Sequence, residues 1–290
     1  MRVLISTDSS CLINYTYLDK YNISLLPLNV IIDGEEYLDG ITINQETLGL
    51  AMNENKVIKT STPPLGVVIE YFESIFNKGY DKIIHFTISS KLSSMNSFFN
   101  TVSKEYFNNN VIVIDSYSLS SLMLSHVIYA YEEVNKGTDI EIIVEEIEKR
   151  KKNSSILFIP ENLKALKNGG RISPAVAAIG NTLGLKPVIS LTDGELRKES
   201  MTRSVKKTFS DYIKDCVNTY SIQDYDYNLI SFEANEKTIE YLHTVLDEVI
   251  GYENYIKGII PINVCAHCGP GTIGLVISPK VNGKSIKDFN

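Results

Sequence analysis

The chain has 290 residues, a length that predicts about two packed units. Hydrophobic residues make up 43% and charged residues 22%, a composition typical of a globular protein. Its 28 basic and 35 acidic side chains give a formal net charge of −7, with no local basic stripe. Because such a surface repels a phosphate backbone, we expect no nucleic acid partner.

Four cysteines in a chain of this length do not form a disulfide framework. The first apolar run, residues 2–6, is too short for the core of a signal peptide. The charge-free stretch 116–131 is too short to span a bilayer. We therefore expect a cytoplasmic protein.

Short apolar runs alternate with longer helical patterns through the first half of the chain, which predicts an α/β domain with a parallel sheet. The predicted strand and helix pairs are 2–6 with a helix through about 21, 83–86 with 94–106, and 111–114 with 118–136. Asp33 and Gly34 stand between two apolar runs, and this dipeptide predicts a hairpin.

The pattern changes after the charged run 149–153, which we interpret as the boundary between two domains. We expect an N-terminal α/β domain over residues 1–153 and a C-terminal α/β domain with hairpins over residues 154–290. The hairpin signal of the second domain is Thr192-Asp193-Gly194. Further elements are predicted as strands at 156–159, 186–191, 195–198, 227–232, 259–264 and 275–278, and helices from 161 and at about 235–249.

Two short motifs near the C-terminus are only weak predictors of a cofactor or metal site. Residues 269–274 match G-x-G-x-x-G, but a strand pattern follows where a dinucleotide site needs a helix, so we predict a glycine-rich turn between two strands. Cys265 and Cys268 have C-x-x-C spacing, whereas a closed zinc site needs four ligands. We expect buried cysteines and no metal, with metal or thiol chemistry as the alternative.

Hydroxyl side chains collect where predicted strands lead into helices. Thr60 and Ser61 precede an apolar helical pattern, for which Thr62 is the predicted cap and Pro63 the first residue. Ser89, Ser90, Ser93 and Ser94 follow the strand at 83–86, and Asp8 and Asp115 begin the equivalent turns of the other two strands.

Turns of this kind meet at the carboxyl edge of a parallel sheet, where ligands bind. Each hydroxyl alone fits a helix cap. Together with the free N–H groups of helix starts, however, they suit a small anionic group such as a carboxylate.

Two arginines and one histidine are further candidates for the site. Arg171 follows Gly169 and Gly170, which permit a tight turn that projects it outward, and Arg203 follows a predicted strand. Either guanidinium could pair with a carboxylate or phosphate, or be an ordinary surface group. His267 fits a structural or a functional role equally well.

Two uncharged stretches, at 119–128 and 175–185, are typical of core helices. The same residue types would also form the wall of an apolar tunnel between the domains.

In these motifs and their order the chain resembles the DegV family. The matching segments are Thr7-Asp8-Ser9-Ser10, Thr60-Ser61-Thr62-Pro63, residues 89–94, Asp115-Ser116, residues 166–173, Lys186-Pro187, Arg203 and residues 267–271. The resemblance covers nearly the whole chain, and Gly-Gly-Arg-Ile-Ser is its most specific part. It implies a DegV-like fold of two α/β domains with an acyl chain buried between or beneath them.

Members of this family bind long-chain fatty acids, and some present the lipid to a bacterial fatty acid kinase. The resemblance implies that Thr60 and Ser93 hold the carboxylate, with Ser61 and Ser94 as neighbours that share the task. Ser94 stands where the family usually has glycine, and its side chain lies at a position where the backbone N–H should approach the ligand closely.

The resemblance also implies partner-related roles. Arg203 and His267 match positions that matter for phosphoryl transfer with the kinase, and Arg171 matches one linked to docking.

We therefore expect a lipid-binding protein and no enzyme. It would hold a long-chain fatty acid such as palmitate, need no cofactor, present the lipid to a separate fatty acid kinase and make transient contact with a membrane surface. One alternative is a hydrolase or transferase for acyl or phosphoester substrates, with Ser93 as nucleophile and His267 as base. Another is a protein that acts mainly through a protein partner, with lipid as a structural plug.

Overall fold

The computed structural model describes residues 1–11, 20–172, 184–252 and 254–289. Most of the first predicted helix, which runs through about residue 21, lies outside these ranges, as does most of the stretch 175–185.

The described residues form strands in three sheets, with helices between them. The strands are β1 Val3–Asp8, β2 Ile23–Leu26, β3 Asn29–Ile32, β4 Glu35–Leu38, β5 Ile58–Ser61, β6 Lys82–Thr87, β7 Val111–Asp115, β8 Ser155–Ile159, β9 Lys186–Thr192, β10 Glu195–Thr202, β11 Tyr225–Phe232, β12 Ile256–Ile259 and β13 Thr272–Pro279. The helices are α1 Gln45–Asn53, α2 Leu65–Phe76, α3 Met95–Tyr106, α4 Ser120–Lys136, α5 Ile140–Lys152, α6 Lys164–Asn168, α7 Val205–Thr219, α8 Glu236–Ile250 and α9 Ile262–Cys268, and a 3₁₀ helix covers Ile286–Phe289.

The first sheet is parallel throughout, with strand order β2-β1-β6-β7, and this confirms the α/β prediction. Successive residues of its strands alternate between two cores. Ile83 packs in a cluster with Phe72 of α2 and Phe99 of α3, whereas Ile84 packs in a cluster with Val127 of α4 and Ile147 of α5. Helices therefore cover both faces of this sheet.

The remaining sheets contain the predicted hairpins. β3 pairs with β4 in antiparallel fashion around Asp33 and Gly34, and β9 pairs with β10 around Asp193 and Gly194. All four turn residues have positive φ, which is what these tight turns require. β5 pairs with the other edge of β3 to complete a three-stranded sheet.

The largest sheet is mixed, with strand order β10-β9-β8-β13-β11-β12. Its pairs are antiparallel except β11 with β12. Leu275 of β13 packs against α7 and α8, whereas its neighbour Val276 packs in a cluster with Leu48 of α1, Leu122 of α4 and Cys265 of α9. Because this second cluster draws on both halves of the chain, the halves share a core. The division at residues 153 and 154 stays a prediction.

The predicted strand at 259–264 is wrong. β12 ends at Ile259, and Ile262–Cys268 form helix α9 after Pro261, which occupies the N-cap position. Packing in the shared core overrides the strand preference of these β-branched residues. The glycine-rich turn therefore joins a helix to a strand, not two strands, and Gly269 and Gly271 both have positive φ in it.

The predicted start of α2 is also wrong. The helix begins at Leu65 with Pro64 at the N-cap, and Thr62 caps nothing. A residue that precedes proline is pushed out of the helical region, so the two prolines at 63 and 64 keep the chain extended.

The uncharged stretch in the first half is a core helix, since every residue of α4 from position 120 to 130 is buried. No helix in the described ranges is long and apolar enough to span a membrane.

Candidate ligand-binding cavity

A cavity of about 100 Å³ lies between the carboxyl edge of the parallel sheet and the inner face of the mixed sheet. Loops after β2, β6 and β7 form one wall, strands β8 to β11 form another, and α9 closes the side. One buried water needs roughly 10–15 Å³ of such space, so the cavity has room for about seven to ten separate waters, and for more groups where these are bonded in a chain. Its aliphatic and aromatic lining residues are Leu28, Ile88, Leu92, Leu119, Ile156, Phe158, Leu166, Leu191, Leu196, Ile230, Ile260 and Val264.

Four of the predicted site residues meet on the cavity wall, and we call this group the polar end: Thr60, Ser93, Arg171 and His267. Thr60 Oγ1 lies 2.8 Å from His267 Nε2. Arg171 Nε donates to the carbonyl of Leu92, the residue before Ser93, at 3.2 Å. Asn263, Cys268 and Thr272 complete the lining.

His267 is electrically neutral in this setting. Burial lowers the pKa of its imidazole to about 4, and the positive charge of Arg171 acts in the same direction. A neutral ring has one N–H, and the tautomer with the proton on Nε2 donates to Thr60. In that arrangement the hydroxyl proton of Thr60 is free for a ligand.

The other ring nitrogen of His267 is held close to a glycine. Nδ1 is buried and has no hydrogen-bond partner among the described residues. A Cβ atom at Gly169 would stand 2.2 Å from it. Residue 169 therefore has to be glycine for the imidazole to reach Thr60.

Ser93 precedes α3 and has a hydroxyl proton to offer. Its Oγ accepts from the backbone N–H of Met95 at 3.3 Å, and its own N–H donates to the carbonyl of Ser89 at 3.1 Å. Because Oγ acts as an acceptor in the first bond, the proton remains available to an anion. The N-cap residue of α3, Ser94, makes no side-chain cap bond, so the N–H groups that follow Met95 add positive potential beside Ser93.

The other three predicted site residues do not line the cavity. Ser61 follows Thr60 in β5, and adjacent residues of a strand point to opposite faces. Ser94 is exposed at the start of α3, and Arg203 is exposed beyond the end of β10.

Arg171 does not project outward, contrary to the sequence expectation. The side chain is half-buried and lies along the cavity wall. Its guanidinium turns inward because it donates to the carbonyls of Leu92 and Gly169. Gly170, with φ of 68°, supplies the left-handed step that directs the chain this way.

The turns at Asp8 and Asp115 meet the neighbouring turn of β6, but they are satisfied internally. Asp8 Oδ2 accepts from the N–H of Ile88 at 2.7 Å, and Asp115 Oδ1 accepts from the N–H of Ser90 at 3.1 Å. These carboxylates occupy donors that an anion would otherwise use. The anion site stays a prediction, and the hydroxyls and Arg171 of the polar end are the predicted groups that line the cavity.

Two polar residues of the lining, Asn263 and Thr272, are absent from the sequence prediction. Thr272 Oγ1 donates to the carbonyls of Cys268 and Gly269, so its proton is already used. Asn263 lies one helical turn before His267, and this spacing becomes visible only when α9 is known to be a helix.

The C-x-x-C motif also lies in α9. Both thiols are reduced and buried, and burial raises the pKa of Cys265. Within the described ranges, no group of three or more histidine, cysteine, aspartate or glutamate side chains is arranged to hold a metal ion.

Fold and cavity together define an α/β protein that encloses a largely apolar space with a hydrogen-bonding polar end. A model of the DegV family matches residues 2–280, so the chain belongs to that family, as the sequence motifs predicted.

Individual relatives support this assignment. A DegV domain-containing protein of Staphylococcus aureus is 30% identical over 282 residues, which are 96% of this chain and 99% of that protein. Two solved structures have the same fold. One, from work on fatty acid binding of a DegV family protein from Thermus thermophilus, has a TM-score of 0.85 at 24% identity and covers 96% of this chain and 100% of that one. The other, a stearic acid-binding protein from Eubacterium ventriosum, has a TM-score of 0.81 at 25% identity and covers 97% and 99%.

Proposed function

We propose that the chain binds a long-chain fatty acid such as palmitate. Thr60 and Ser93 donate hydrogen bonds to the carboxylate, Arg171 and the neutral His267 stand beside it, and the acyl chain occupies the apolar part of the cavity. The observation that carries the proposal is a cavity whose wall is apolar apart from a few groups, with hydroxyls and an arginine brought together on it.

The energies agree with this division of roles. Burial of about 14 methylenes contributes roughly 10 kcal/mol before the cost of association. Each neutral hydrogen bond adds only about 1 kcal/mol, and bonds to a charged carboxylate add more. The acyl chain of the ligand therefore supplies most of the affinity, and the hydroxyls determine the orientation of the bound ligand.

Proteins of similar structure support the proposal. The Eubacterium ventriosum protein is described as stearic acid-binding, and it matches this chain along almost all of its length. A solved DegV structure from Thermotoga maritima, also 25% identical, is described as that of a lipid-binding protein.

We further propose that the chain is not itself an enzyme and presents the carboxylate to a separate fatty acid kinase. Among the described residues no base is bonded to Ser93 Oγ, which accepts from the N–H of Met95. His267 Nε2 is bonded to Thr60 instead, and the pKa of its imidazole is lowered to about 4. Arg203, exposed near the end of β10, is available to such a partner.

Mass spectrometry of the lipid content tests the binding proposal. The purified protein is loaded with palmitate, separated from free lipid, denatured and extracted. We expect about one fatty acid per chain. Val264→Phe, which places a ring in the cavity, should lose most of it, whereas the same substitution at the exposed Val67 of α2 should not. Equal lipid in all three samples, or none in the parent protein, would contradict the proposal.

A further inference from the structure

One face of α9 lines the cavity along the length of the helix. The residues concerned recur at helical spacing: Ile260 just before the helix, then Asn263, Val264, His267 and Cys268. Asn263 and His267 are four residues apart, which is about 6 Å along the helix axis. Asn263 therefore lies farther along the cavity wall than the contact between His267 and Thr60.

The side-chain amide of Asn263 is buried with one polar atom unsatisfied. The residue is 4% exposed, and its Nδ2 donates to Ser10 Oγ at 2.6 Å. Its Oδ1 is buried and has no hydrogen-bond partner within the described part of the chain. The Ser10 hydroxyl can donate as well as accept, so reversing the amide would leave the nitrogen unsatisfied instead.

Buried amide groups in native proteins nearly always have partners, so an unpaired one in a cavity wall marks a place where a ligand or water completes the bond. The other polar group of the lining outside the polar end, Thr272, already donates to two carbonyls. Asn263 is thus a hydrogen-bonding point set apart from the polar end.

The charged groups near Asn263 indicate whether the ligand group that binds its amide is charged or neutral. Asp39 Oδ2 accepts from the backbone N–H of Asn263 at 3.3 Å, and Asp8 Oδ1 accepts from the N–H of Ser10 at 2.7 Å. Burial raises the pKa of Asp39 to about 7 and that of Asp8 to about 6. With these pKa values both carboxyl groups carry partial negative charge near neutral pH, so a further carboxylate or a phosphate on the ligand is disfavoured close to Asn263. A hydroxyl is neutral, and it can donate to the amide oxygen or accept from the amide nitrogen.

We propose that Asn263 is a specificity residue that binds a hydroxyl group on the acyl chain, so that the cavity prefers a hydroxylated long-chain fatty acid to the unsubstituted acid of equal length. The inference rests on the proposed function and refines its ligand class. Because Asn263 lies one helical turn from His267, the preferred hydroxyl belongs in the half of the chain nearer the carboxylate.

Competition binding tests the inference. Hexadecanoic acid and a series of hydroxyhexadecanoic acids, in which the hydroxyl moves one carbon at a time, displace a fluorescent fatty acid from the protein. We expect one isomer, or two adjacent ones, to bind about fivefold more tightly than hexadecanoic acid, which corresponds to one neutral hydrogen bond. In Asn263→Leu the affinities for hexadecanoic acid and for every hydroxy isomer should become similar, because the hydrogen-bonding group is gone.

Ser10→Ala is the matched control. It breaks the same bond between Ser10 and Asn263 but leaves the amide in the cavity wall, so the preference should persist. The inference is overturned if hexadecanoic acid binds the parent protein at least as tightly as every isomer, or if Asn263→Leu keeps the preference. The first comparison needs no variant and decides the matter even where Asn263→Leu fails to fold. Failure of every acid, hexadecanoic acid included, would instead refute the proposed function.

Discussion

The hydroxyl of Thr60 and the imidazole of His267, 207 positions apart in sequence, meet at 2.8 Å on the wall of the apolar cavity. The contact joins the three-stranded sheet to α9 and so connects the two halves of the chain at the polar end. In our account it also orients the Thr60 hydroxyl toward the carboxylate of a fatty acid.

Removal of the two hydroxyls should weaken fatty acid binding. Thr60→Val and Ser93→Ala each remove one donor, and a hydrogen bond to a charged group contributes about 1.5–3 kcal/mol, so we expect roughly a tenfold or greater loss of palmitate affinity for each. Titration calorimetry measures the effect. Ser61→Ala and Ser94→Ala, which alter hydroxyls outside the lining, should bind like the parent, and a loss of equal size in these controls would contradict the site.

Replacement of Arg171 should weaken binding in a manner that depends on charge. Its guanidinium is half-buried on the cavity wall, so Arg171→Gln removes positive charge near the bound carboxylate, and we expect about a tenfold loss of palmitate affinity. Arg203→Gln is the control, because Arg203 is exposed and does not line the cavity. Equal losses in both variants would mean that general surface charge, rather than the position of Arg171, attracts the acid.

A methyl group at Gly169 should displace His267. The added Cβ of Gly169→Ala meets the imidazole at 2.2 Å, and overpacking of this kind costs about 1–3 kcal/mol in the free energy of unfolding. Urea denaturation measures this cost. The double variant Gly169→Ala with His267→Ala removes the clash and should recover part of the stability. A single variant as stable as the parent protein would show that the imidazole does not need this glycine.

The buried carboxyl of Asp39 should make stability depend on pH. Burial raises its folded-state pKa from 3.8 to about 7, so the folded state binds a proton that the unfolded state has lost between these values. This contribution to stability is fully present below about pH 4 and disappears as the pH rises through 7. Asp39→Asn removes the dependence, and at pH 8 it should be more stable than the parent by up to about 4 kcal/mol.

Urea denaturation of both proteins from pH 4 to pH 8 measures this difference. Subtraction of the two curves cancels buried groups that do not interact with Asp39, such as His85 and His126. Asp8 stays part of the difference, because its negative charge raises the pKa of Asp39 and the two groups titrate together. A difference that stays constant over this range would refute the assignment.

Much of the framework was predictable from local pattern. The strands around Ile84 and Val113 are short apolar runs followed by helical periodicity, and two turns with glycine after aspartate mark the hairpins. β2 was missed because Ile23–Leu26 is only four residues long and no helix separates it from the next strand. α9 was missed because its β-branched residues favour a strand until tertiary packing decides otherwise.

The site itself was less accessible to local reasoning. The residues of the polar end come from different elements, namely Thr60, Ser93, Arg171 and His267. Their spacing along the chain does not predict that they lie close together. Their grouping was suggested by the resemblance to the DegV family. Neither the local pattern nor the family resemblance predicted Asn263 as a site residue, because it lines the cavity only when residues 262–268 form the helix α9.

A crystal structure of the protein with palmitate tests the central claim most directly. We expect one carboxylate oxygen within hydrogen-bonding distance of both Thr60 Oγ1 and Ser93 Oγ, and the acyl chain running past Asn263 between the two sheets. A carboxylate bound elsewhere, or an acyl chain on the outer surface with the cavity unoccupied, would contradict the account.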